Sequence, residues 1–129
     1  MLSRFVIHQH KTGRIHFDLR IIQSGVLRSW SLLKEPPRRQ GEKRLAIERE
    51  SFTVASIGSK TFEEEAFGLG RVRAWDEGNV EVKILTPKHL AFLFHGEKMS
   101  GSYELRRMRW YPGNRWIFTK LRNPIKKED

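Results

Sequence analysis

The sequence predicts a mainly β protein, a small closed or nearly closed β-barrel of about eight strands with short flanking helical turns. Three observations carry that prediction. Apolar and polar residues alternate with period two through most of the chain, as in "RFVIHQH", "RIHFDLRII" and "NVEVKILT". The separators are turn-formers: Ser24-Gly25, Pro36-Pro37, Glu77-Gly78-Asn79 and Pro112-Gly113-Asn114. And 129 residues suffice for one ordinary core with no composition shift to mark a boundary, so residues 1–129 read as a single domain.

Taken in order, the expected strands cover residues 4–10, 14–22, 25–34, 43–50, 70–76, 79–86, 89–96, 101–110 and 115–122. Short strands at this spacing suit a barrel or a sandwich. The only helical signal is "SKTFEEEAF", residues 59–67, and the terminal "NPIKKED" should fray.

Twenty-five Lys and Arg against fifteen Asp and Glu give a net charge of +10. Such an excess concentrates polyanions at the surface and favours nucleic acid as a partner, although solubility alone also accounts for a basic domain. There is no cysteine, which removes disulfides, thiolate metal sites and cysteine nucleophiles. No apolar run is long enough for a membrane span or a signal peptide, so a soluble, cytoplasmic monomer is expected.

Three of the five histidines fall within nine residues, His8, His10 and His16, next to Asp18 and Arg20. On a strand, His16, Asp18 and Arg20 share one face and Phe17, Leu19 and Ile21 the other. If Ser24-Gly25 is a two-residue hairpin turn, Gln23 pairs with Val26. Leu19 then meets Trp30 and Phe17 meets Leu32, while Asp18 and Arg20 meet Ser31 and Ser29. A turn at Gly13 brings His10 beside His16. Two imidazoles and a carboxylate form a donor set suited to Mn, Fe or Zn, with positions left for water or substrate. Arg20 stands where a planar fork can hold a phosphate. The competing reading is a solvated face or a barrel-lining polar network. His8 reads more simply as a polar strand residue than as an outer partner, and His89 and His95 as strand-end polar groups. Trp75, Trp110 and Tyr111, near turns, are candidates for exposed base stacking.

The stretch "HKTGRIHFDLRI…GVLRSWSLLKEPP…EKRLAIERE" resembles the phosphoesterase domain of bacterial DNA ligase D and its stand-alone relatives. "FGLGRVRAWDEG" and "HGEKMSGSYELRRM…RWIFTKLRN" continue the likeness over nearly the whole chain. The resemblance implies a manganese-dependent 3′-end-healing enzyme of non-homologous end joining, with Co2+ or Zn2+ as alternative ions. Its substrates would be DNA or primer-template strands ending in a 3′-ribonucleotide or a 3′-phosphate. A diesterase step removes the terminal nucleoside and a monoesterase step leaves a 3′-OH. A separate ligase or polymerase of end joining would be the protein partner. By position, His10, His16 and Asp18 would bind the metal, Arg20 the phosphate, and Lys34 and Arg44 would complete a basic rim. Glu50 falls where the family carries an acidic residue.

The chain also departs from the pattern. Phe52 stands where the family has a phosphate-holding histidine, Ser56 near a family tyrosine, Phe67 for another tyrosine, and Glu35 for a turn glycine. Loss of an imidazole removes a donor or proton carrier from the phosphate pocket, a place His8, His89 or His95 is available to fill. Two further readings therefore stand beside the enzyme: a non-catalytic nucleic-acid-binding barrel, and a small-molecule barrel enzyme of cupin type. The distributed basic charge weighs against the last.

Overall fold

The computed structural model describes residues 2–53, 71–109 and 113–125. These residues form nine strands: β1 (Leu2–Thr12), β2 (Arg14–Gln23), β3 (Val26–Leu32), β4 (Lys43–Glu48), β5 (Phe52–Thr53), β6 (Arg71–Leu85), β7 (His89–His95), β8 (Ser100–Arg107) and β9 (Arg115–Lys120). Neighbours run β2-β1-β6-β7-β8-β9-β4-β3, and β3 pairs back onto β2, closing eight antiparallel strands into a barrel. β5 adds a short pairing, Leu27 with Phe52, to the first residues of β3. No helix occurs among the described residues, and the helical signal at residues 59–67 lies outside them.

The first two hairpins follow from their turns. Ser24 and Gly25 have φ of 50° and 77°, so both central residues take the positive-φ geometry of a two-residue type I′ turn. Its twist matches the strands, and Gln23 pairs with Val26. The consequences run down the ladder: Leu19 lies against Trp30, Phe17 against Leu32, Asp18 against Ser31 and Arg20 against Ser29. Gly13, with φ of 92°, makes the other turn and sets His10 opposite His16.

One expected turn is instead the middle of a strand. Glu77-Gly78-Asn79 lies inside β6, which runs unbroken from Arg71 to Leu85. β6 pairs with β1 through its first part and with β7 through its last, and around Asn79 it serves both. A Cβ on Gly78 would stand 2.6 Å from the His95 carbonyl oxygen of β7. The glycine is there for close approach of a neighbouring backbone, not for a reversal. Register shifts beside Trp75 and Lys83 bend this long strand around the barrel.

Phe5, Ile7, Phe17, Leu19, Ile21, Trp30, Leu32, Phe92, Phe94, Tyr103, Leu105, Trp116 and Phe118 converge inside the barrel. Its far end holds a half-buried charge pair. The Arg28 guanidinium donates to Glu48 Oε2 at 2.8 and 3.1 Å and lies over the Trp30 ring, while Trp116 Nε1 donates to Glu48 Oε1 at 3.1 Å. At the other end Pro36 and Pro37 are buried, and the Tyr103 hydroxyl donates to the Pro37 carbonyl at 2.7 Å. Asp76 closes the β7–β8 turn by accepting the backbone N–H groups of Glu97, Lys98 and Met99 at 3.1, 3.0 and 2.7 Å. Trp75, a candidate for base stacking, is buried at 8% exposure with its ring edge-on to Phe17. The bulge turns it inward.

Candidate metal centre

Period-two alternation places the core residues of β1 to β3 on one face and a polar grid on the other. Across the grid, β1 contributes Val6, His8 and His10, β2 contributes Arg20, Asp18 and His16, and β3 contributes Ser29 and Ser31. The register sets His10 opposite His16, and places Asp18 between His8 on one side and Ser31 on the other. Directly opposed side chains stand about 4.5–5.5 Å apart at Cβ, close enough for short groups to meet. His8, His10, Asp18, Ser29 and Ser31 are all buried, and His16 and Arg20 are half-buried.

The side chains converge on one oxygen. His10 Nε2 lies 3.1 Å and His16 Nε2 3.3 Å from Asp18 Oδ2. The two imidazoles stack at 4.7 Å between centroids with an 18° tilt, so their edges point the same way. Asp18 Oδ1 is engaged separately by the Ser31 hydroxyl, which donates to it at 2.7 Å. One donor atom from each of His10, His16 and Asp18 lies within 4.8 Å of the others. Two donors on one tetrahedral ion, with bonds of about 2.0–2.2 Å, stand about 3.3–3.6 Å apart. The two distances to Oδ2 come to the lower edge of that range or just short of it, and nitrogen and carboxylate donors are types that manganese, iron, cobalt and zinc accept.

The other sequence candidates fall in different places. Arg20 is on the same face, one pleat beyond Asp18, opposite Val6 and Ser29. His8 is 2% exposed and directly opposite Asp18, a more embedded position than an ordinary polar strand residue takes. Lys34 is exposed, two residues past β3, and Glu50 is exposed, two residues past β4. Arg44 pairs with Phe118, on the core-facing side of β4. Its guanidinium donates to the carbonyls of Glu35 at 2.7 Å and Lys43 at 2.9 Å and reaches Glu42 at 3.3 Å. Glu42 lies below the ordinary carboxylate range, chiefly because it accepts the Arg38 backbone N–H. The ends of β3 and β9 and the starts of β2 and β4 are at one end of the barrel, so Lys34 and Arg44 lie toward the same end as the cluster.

His89 and His95 have acidic neighbours of their own, Glu104 at 3.0 Å and Glu81 at 2.6 Å. The hydrogen bond from His95 holds Glu81 below the usual carboxylate range. Ser56, Phe67, Trp110 and Tyr111, and the side chain of Phe52, lie outside what the structure describes. Sequence reasoning missed Arg49, whose Nε donates to Ser31 Oγ at 2.9 Å. In the run "ERE" nothing local separates it from a solvated charge.

Chemically, the face offers two imidazole nitrogens, a carboxylate oxygen and a guanidinium in a largely buried setting. His10, His16 and Asp18 are thus a group that could hold a metal ion, with a guanidinium on the same face. Comparison with known proteins identifies the family. The family profile for the DNA Ligase D 3′-phosphoesterase domain matches residues 8–107. The multifunctional non-homologous end joining protein LigD of Mycolicibacterium smegmatis is 29% identical over 94% of this chain, and that of Mycobacterium bovis 33% over 94%. The LigD of Pseudomonas aeruginosa is 31% identical over 82% of this chain. The matched regions make up 17%, 16% and 13% of those relatives, so the chain corresponds to a small part of each. With its fold, its polar face and 100 consecutive residues under one profile, this chain belongs to the DNA ligase D 3′-phosphoesterase domain family.

Proposed function

We propose that this protein is a divalent-metal-dependent phosphoesterase that trims the 3′ ends of DNA or RNA strands for end joining, with manganese as the working ion. The observation that carries the reading is the convergence of His10 and His16 on a single oxygen of Asp18, with Arg20 one pleat away. Family membership supports phosphoester chemistry, and the names of the relatives point to end joining. A divalent ion held by the three side chains would supply a Lewis acid for a phosphoryl oxygen and a bound water of lowered pKa.

The chain's own residues do the rest. Arg20 presents two parallel N–H donors to the nonbridging oxygens of the scissile phosphate and stabilises the charge that builds there. Burial of His10 and Asp18 keeps competing water away, which strengthens each of these interactions. The net charge of +10 holds the strand through its phosphates, so binding should weaken with salt and depend little on sequence. Lys34 and Arg44, at the same end of the barrel, extend that field along the strand.

The test is a 5′-labelled primer ending in one ribonucleotide, incubated with and without manganese and resolved by gel. The expected products end first in a 3′-phosphate and then in a 3′-OH, and neither forms with chelator. A 3′-phosphate product that persists means that only the diesterase step survives with Phe52 in place. No product at any 3′ end, together with chelator-insensitive DNA binding, would replace this reading with a non-catalytic nucleic-acid-binding barrel.

A further inference from the structure

The two oxygens of Asp18 have different neighbours. Oδ2 faces the imidazoles, and Oδ1 accepts the Ser31 hydroxyl at 2.7 Å. Ser31 Oγ in turn accepts from Arg49 Nε at 2.9 Å. The segment carrying Arg49 is fastened to β3 by its own backbone, because Arg49 N–H donates to the Ser29 carbonyl at 2.9 Å. A hydroxyl has one proton and two lone pairs, whereas a guanidinium only donates. The Arg49 bond therefore takes a lone pair of Ser31, and the single hydroxyl proton is left to aim at Asp18.

We infer that Ser31 and Arg49 are positioning residues, a two-bond relay that fixes the Asp18 carboxylate for the proposed metal centre. The inference rests on the metal reading of His10, His16 and Asp18 and extends it to two residues outside the donor set. Ser31 commits Oδ1, so Oδ2 is the oxygen left to serve the ion with the two imidazoles. Arg49 polarises the hydroxyl and makes it a stronger donor, and it stops the hydroxyl from rotating away. Partners of this kind, one step out from the ligands, commonly change metal affinity 10–100-fold when removed.

The experiment is manganese binding to the intact chain by titration calorimetry, with thermal unfolding of each variant as a check on folding. Ser31→Ala should weaken binding about 10-fold, while Ser31→Thr, which keeps the hydroxyl, should restore most of it. Arg49→Ala should weaken binding less, about 3-fold, because it acts through Ser31. In the double variant the loss should equal that of Ser31→Ala alone, since the relay is already broken. Ser31→Ala binding with wild-type affinity would overturn the relay, and so would losses that multiply in the double variant. Asp18→Ala separates the metal site from the relay: if it binds manganese as wild type does, the metal reading itself falls, whereas loss in Asp18→Ala with no change in Ser31→Ala removes only the relay.

Discussion

Among the described residues a similar arrangement occurs twice in the barrel, and in one copy all three groups are potential metal donors. On β1 and β2, His10 and His16 are directly opposed and Asp18 lies two residues along from His16. On β7 and β8, His89 and Arg106 are directly opposed and Glu104 lies two residues along from Arg106. In both, two cationic or potentially cationic groups meet one carboxylate oxygen: 3.1 and 3.3 Å around Asp18 Oδ2, and 3.0 and 3.2 Å around Glu104 Oε2. The second copy differs in two groups, a glutamate where the first has an aspartate and a guanidinium where it has an imidazole. Arginine is always protonated and has no lone pair, so it neutralises the carboxylate and offers nothing to an ion. It is also the more exposed set, with the Arg106 side chain 60% accessible, against 28% for His16. A histidine beside an acid is thus not enough; the third partner decides between an ion pair and a coordination site.

Removing each carboxylate in turn tests whether the two clusters differ in function. Asp18→Ala should reduce manganese-dependent product formation about 100-fold or more, beyond the effect typical of groups one step out from a metal. Glu104→Ala should leave it unchanged. Rate measurements on the ribonucleotide-ended primer check both, and equal losses would mean that the two clusters are not functionally distinct. Arg106→His gives β7 and β8 the nitrogen, nitrogen, oxygen set of β1 and β2. Calorimetry should then show a second manganese site, about 10-fold weaker than the first because no described hydroxyl hydrogen bond holds Glu104 as Ser31 holds Asp18.

A smaller effect is expected from Arg20→Lys, which keeps the charge but loses the fork. It should cost about 1–2 kcal/mol of transition-state stabilisation, or about 5–30-fold in kcat/KM, with manganese affinity unchanged. The smallest lies in neither cluster. Burial raises the Tyr103 hydroxyl well above its ordinary value of 10.0. The unfolded chain therefore releases this proton first, so stability is full below about pH 10 and falls as pH rises beyond it. Tyr103→Phe should flatten that alkaline fall while costing about 1 kcal/mol at neutral pH through the lost bond to Pro37. Urea unfolding at pH 7 and above pH 10 measures both.

What could be read from the chain depended on how local its cause was. The facing pairs of β2 and β3 were legible because side-chain period and turn chemistry act within a few residues of each other. The His10–His16 pairing was legible for the same reason, through Gly13. Gly78 was not, because a glycine serves equally for a turn or for close contact with a neighbour, and the neighbour here is His95, seventeen residues on in sequence. Trp75 looked exposed because a bulge cannot be seen in an alternating string. Arg49 was invisible since its role depends on a serine eighteen positions earlier. Arg44, expected on a phosphate rim, makes its described contacts with Glu35, Lys43 and Glu42, and only the fold could reveal those partners.

The turn at Ser24-Gly25 has a consequence some distance from itself. A strand has a reading frame of two, and this turn sets the frame for β2 against β3. One added residue there would keep every letter of "HFDLR" yet shift the ladder by one, offering His16, Asp18 and Arg20 to the barrel interior and Phe17 and Leu19 to the outside. The donor set would remain in the sequence and vanish from the molecule. In this protein the spelling of the site and its punctuation lie on different residues, and a frameshift can occur without any change in the spelling.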